Sequence, residues 1–168
     1  MLTRRDLIIK WSAYALAALA LSFLYALLLR DAQPFGVRMF LPPVLVAAVA
    51  SLEDVRFGTG FGLLCGVACD LTTAGTFPCV YTLAFTLAAL SGGALARGVL
   101  QRGLPCAAAV TLLTFACTDA LNMLALFFRA RAPFGAMALL ALREALVSCL
   151  LLAAVYPVMR YLQRRFDL

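Results

Sequence analysis

Apolar runs separated by short charged or turn-forming breaks organise the whole chain. Residues 11–29 carry no charge and are bounded by Lys10 and Arg30. About 20 apolar residues at 1.5 Å per helical residue cross the hydrocarbon core of a bilayer, so this run predicts a first membrane span. Residues 30–38, with Pro34 and Gly36, form the longest polar connection inside the chain. A second apolar segment, 39–52, is short and opens on Pro42-Pro43. Proline suits the first turn of a helix and breaks an interior, so the segment is either a short helix starting near Pro42 or irregular chain shielded by its neighbours. Glu53, Asp54 and Arg56 end it. The third segment, 57–71, stops at Thr72-Thr73-Ala74-Gly75-Thr76, a turn closed by Pro78. The fourth, 78–96, is followed by Arg97, Gly98, Gln101, Arg102 and Gly103. The fifth, 104–128, is interrupted by Asp119. The sixth, 134–159, carries Arg143 and Glu144, and residues 160–168 form a tail.

Composition agrees with this pattern. Of 168 residues, 65% are hydrophobic and 13% charged, with mean hydropathy +1.00; a soluble domain carries about a quarter charged residues. The fold class expected is therefore an all-α integral membrane protein of six transmembrane helices in a single polytopic domain. Lys and Arg at the segment ends fix the orientation. Nine lie at the N-terminus, the 2–3 and 4–5 connections and the tail, and four in the other connections. That asymmetry puts both termini in the cytoplasm, which an even number of spans requires. The N-terminal Arg4, Arg5 and Lys10 resemble the start of a signal sequence, but no small-residue cleavage site with a polar mature domain follows. The first span is expected to stay attached. The net charge of +6 follows from retention of basic residues on the cytoplasmic side and does not indicate nucleic acid.

Candidate chemistry is sparse. There is no His, and the six cysteines, Cys65, Cys69, Cys79, Cys106, Cys117 and Cys149, show no C-x-x-C pair; they read as small buried hydrophobes. No H-E-x-x-H, G-x-S-x-G or phosphate-loop motif occurs. No catalytic residue, cofactor or metal is expected. The most specific local feature is Gly58, Gly62, Gly66 and Asp70, each four apart on one helix face. Glycines in such a row admit the backbone of another helix, from the same bundle or from a partner; packing within the bundle is favoured. Ala13–Ala17 and Ala18–Ser22 are weaker small-residue pairs.

Asp70, Asp119, Arg143 and Glu144 are the ionisable groups set within spans, where charge is expensive and faces a bundle interior or a cavity. Asp119 lies ten residues before Arg129 and Arg143 twelve after Arg131, hence ~15 and ~18 Å from the same edge. The near-equal depths predict an Asp119–Arg143 ion pair, with Asp70, ~21 Å from Arg56, close enough to share the arginine. A structural pair is favoured over a proton or ion relay.

The run Pro42-Pro43…Gly58-x-Gly60-x-Gly62-x3-Gly66-x3-Asp70-Leu71, then a Thr/Gly/Pro turn and another apolar span, resembles the MreD family of rod shape-determining proteins. Gly66, Asp70 and Leu71 match the family's G-x-x-x-D-L ending, and Gly75 with Pro78 stands in its turn; Cys69 and Phe77-Pro78-Cys79 depart from the usual pattern. The resemblance covers essentially the whole chain. It implies a non-enzymatic scaffold of the bacterial inner membrane that binds the bitopic protein MreC. It also implies work beside RodA, its transpeptidase and MreB in rod shape and lateral peptidoglycan synthesis. The implied fold is similar to that of the substrate-binding subunits of energy-coupling-factor vitamin transporters. Such a subunit is the alternative function, with Ala13–Ala17 meeting a coupling protein. It would need convergent polar and aromatic groups in an outer pocket, which the outer connections supply poorly.

Overall fold

The computed structural model describes residues 4–28, 39–72, 79–98, 103–130 and 134–166. Over those residues the chain is all-helical, with six helices and no strand. They are α1 (Arg4–Leu28), α2 (Leu41–Leu52), α3 (Val55–Thr72), α4 (Val80–Gly98), α5 (Leu104–Ala130) and α6 (Phe134–Phe166). Three contain stretches long and apolar enough to cross a membrane: Ile8–Leu28 of α1, Leu104–Leu124 of α5 and Met137–Phe166 of α6. Leu41–Leu52 and Val80–Ala96 are shorter apolar helices. The expected turn at 73–78 lies outside the described residues.

The helices fall where the apolar runs predict them, but two ends differ. α1 begins at Arg4 and α6 continues to Phe166, so the residues expected as a tail are largely helical. Charged residues mark where a helix leaves the apolar layer, not where its hydrogen bonding stops. α6 also runs through Pro157. Its last turns are held by buried Tyr156 and Met159 and by Gln163, whose Nε2 donates to the Leu52 carbonyl at 2.6 Å.

α2 is the centre of the bundle. Pro42 and Pro43 occupy its first turn, and every residue except Pro42 is buried. Twelve residues make ~18 Å of helix, well short of the ~30 Å hydrocarbon core. A helix apolar on all sides belongs in a protein core or in lipid; this one, too short to cross, is in the core, and α3, α4, α5 and α6 surround it. Among the two open readings of this segment, the regular short helix is the one found. α1 is peripheral, touching α2, α6 and, through Trp11 on Phe57, α3, and it leaves Leu16, Leu19, Phe23, Leu24 and Leu27 exposed.

The glycine row of α3 is a seam within this bundle. A methyl group added at Gly58 would sit 2.9 Å from the Ala50 Cα of α2. At Gly62 it would lie 2.9 Å from the Phe85 carbonyl oxygen, and at Gly66 2.5 Å from the Thr82 Cα, both on α4. Those separations are below any real side-chain contact, so only glycine lets the three backbones approach. Buried hydroxyls in α5 are satisfied locally: Thr111, Thr114 and Thr118 each donate to the carbonyl four residues back at 2.7, 2.7 and 2.8 Å.

Candidate functional site

Asp70 sits in the last turn of α3, within hydrogen-bond reach of the first turn of α4. Its Oδ1 accepts the Tyr81 N–H at 3.1 Å; its Oδ2 accepts the Thr82 N–H at 2.9 Å and the Thr82 hydroxyl at 2.6 Å. The first N–H groups of a helix have no partner inside it and carry its positive dipole end. At the α4 start, Cys79 stands with a positive φ of 67° and a side chain lacking oxygen. The carboxylate of the preceding helix therefore caps α4. The expectation that Asp70 shares Arg143 is corrected: backbone donors satisfy it.

The Asp119–Arg143 pair is corrected as well. Among the described residues no ion pair joins Asp119 to Arg143. Asp119 shares a pocket of about 230 Å³ with Asn122, Met137, Leu140 and Glu144. Arg143 is exposed. Successive helix residues turn by about 100°, so a one-residue difference in α6 exchanges the basic side chain for the acidic one. Ala141, Glu144, Ala145 and Ser148 face α5 and the core, and Arg143 shares the outer face with exposed Leu139, Leu146 and Leu150. The depth argument held the right level on the wrong side of the helix. Asp119 also borders an open groove of about 770 Å³ between α5 and α6. Phe115, Ala116, Ala120, Ala138, Ala141 and Ala145 lie along it, and Asp119 is its charged group.

The strongest polar feature was not among the expected site residues. Lys10 Nζ of α1 lies 2.8 Å from Glu53 Oε2, with side chains 4% and 6% exposed. The Tyr14 hydroxyl donates to Glu53 Oε1 at 2.7 Å. Lys10 is also placed over the Phe57 ring at 5.4 Å, and Phe57 stacks on Trp11 at 4.5 Å between centroids. Glu53 is positioned by the sharp α2–α3 corner, where its own N–H donates to the Val49 carbonyl at 2.9 Å. With Gln163 on the Leu52 carbonyl, this corner joins α1, α2, α3 and α6 at one end of the bundle. Sequence reading assigned Lys10 and Glu53 to membrane edges. The available clue was an acid abutting a helix too short and too apolar to lie anywhere but inside.

At the opposite end, the Tyr25 hydroxyl donates to the Met39 carbonyl and the Phe40 N–H to Ser148 Oγ at 3.0 Å. The six cysteines are free thiols, Cys79 exposed and Cys69 and Cys106 buried. No group of three His, Cys, Asp or Glu side chains suited to a metal occurs among the described residues. The arrangement can hold helices in register and leaves apolar faces and one acid-lined groove open on its surface. Compared with protein-family models, curated proteins and solved structures, the chain matches none.

Proposed function

We propose that this chain is a non-enzymatic, six-span scaffold of the bacterial inner membrane, both termini cytoplasmic. It acts in cell elongation as an MreD-like protein, binding MreC beside RodA, its transpeptidase and MreB. The observation that carries the reading is how its MreD-like residues are used. Gly58, Gly62 and Gly66 bring α3 against α2 and α4, and Asp70 caps α4. The residues that carry the resemblance thus act as one fold-building unit around a buried short second helix. What remains for function is the outer surface of apolar helices, α1 foremost, and helix faces are how bitopic partners are held in lipid.

The test is capture of the tagged full chain from its native membrane in mild detergent, with and without MreC lacking its transmembrane helix. Intact MreC is expected to co-purify in stoichiometric amount and the truncated form to be lost. Absence of MreC from the captured material contradicts the proposal. A second reading, the substrate-binding subunit of an energy-coupling-factor vitamin transporter, is favoured by the 770 Å³ groove, which has the size of a small-molecule site. Its almost wholly apolar lining gives a vitamin few polar handles. A small molecule retained in the native mass spectrum of the purified chain would select that reading.

A further inference from the structure

The α5–α6 surface carries two halves of an ion pair that are not joined to each other among the described residues. Asp119 and Glu144 share a pocket, and no cation pairs with either among the described residues. Arg143 is exposed on the adjoining face of α6, again with no acid paired to it among the described residues. All three lie on the helices long and apolar enough to cross a membrane. Unpaired charge at such depth is costly, and opposite charges there find one another. Within one chain α6 cannot turn Arg143 toward Asp119 without turning Ala145, Ser148 and Leu152 out of the core.

We infer that this surface pairs with a second copy of the chain, Arg143 of each copy entering the Asp119–Glu144 pocket of the other. A two-fold axis along the membrane normal keeps every residue at its own depth, so only level groups meet. Arg143 and Glu144 are consecutive and differ by ~1.5 Å in height; Asp119 is within ~3 Å of the same level. Leu140, exposed and lining the pocket, lies between the two charged positions around α6. It supplies the apolar centre that each arginine must cross. The contact is isologous, so each association forms the pair twice. The inference rests on α5 and α6 spanning the bilayer and not on any role in cell shape.

The experiment is energy transfer between donor- and acceptor-labelled full chains reconstituted in vesicles at decreasing protein-to-lipid ratio. The parent is expected to dimerise, and Arg143→Gln to need about tenfold more protein per lipid, the loss of roughly 1.4 kcal/mol. Arg143→Glu alone and Asp119→Lys/Glu144→Lys alone are expected not to dimerise. Mixed together they regain transfer, because every contact is again between opposite charges. The Arg143→Gln variant, which adds no charge, keeps the test valid where the charge-reversed chains fail to fold. A parent that stays monomeric at every ratio overturns the inference. So does an Arg143→Gln protein that dimerises like the parent, as it would if Arg143 reached only the lipid headgroups.

Discussion

Replacing Lys10 with methionine keeps most of the side-chain volume and removes the charge that faces Glu53. The pair is 2.8 Å apart and all but closed to solvent, so Glu53 would be left buried and still charged, with the Tyr14 hydroxyl donating to it. Breaking one side of a buried pair costs about 3–5 kcal/mol, because an uncompensated charge stays behind. Removing Tyr14's hydroxyl as Tyr14→Phe costs about 1.5–3 kcal/mol, the range for hydrogen bonds to charged groups. Replacing both charges, Lys10→Met with Glu53→Leu, is expected to cost far less than the two single changes added together, since apolar replacements of a buried pair are often neutral. The assay is reversible unfolding in mixed micelles, read by the fluorescence of Trp11. That residue is the one tryptophan of the chain and stacks on Phe57 next to the pair. A single change costing under about 1 kcal/mol, as exposed pairs do, or strict additivity of the two, would refute the assignment of this pair as the tie of α1 to the bundle.

Gly66→Ala is expected to destabilise by about 1–3 kcal/mol in the same assay, because its methyl group would meet the Thr82 backbone at 2.5 Å. Gly135→Ala, with nothing within 4 Å, should be neutral or stabilising by up to about 1 kcal/mol; equal effects at the two sites would contradict the seam. Asp70→Ala should cost about 0.5–2 kcal/mol through loss of the α4 cap, and Asp70→Asn less, since an acceptor remains. If the two variants are equally unstable, charge and not capping is what Asp70 supplies. Cys79 is exposed at the start of α4 and Cys106 is buried, so a membrane-impermeant maleimide added to spheroplasts should label Cys79 and spare Cys106. Labelling of Cys79 only after the membrane is opened would reverse the proposed orientation.

The helix count was legible because charge is scarce and each apolar run is long. The enclosure of α2 was half legible: its proline pair and short length left two readings, and the decisive feature was that no side of Leu41–Leu52 is polar. Periodicity placed Gly58, Gly62 and Gly66 on one face, but which helix meets that face depends on three-dimensional order that spacing does not carry. Asp70 was read as needing a cation because backbone N–H groups at a helix start are invisible to side-chain pairing arguments. For Arg143 the level relative to Asp119 was readable and the direction was not, since Ala and Leu alternate around α6 with little contrast between its faces. Lys10 and Glu53 escaped because each lies where a charge normally marks a membrane edge, and only the packing of α1 against the α2–α3 corner brings them together.

Depletion of the protein in its host, with cell shape followed by microscopy and new wall followed by a fluorescent cell-wall precursor, tests the central claim most directly. A scaffold of elongation predicts that rods widen and round up as the protein is lost, with lateral wall incorporation becoming dispersed. Cells that remain rods of normal width while uptake of a vitamin fails would contradict it.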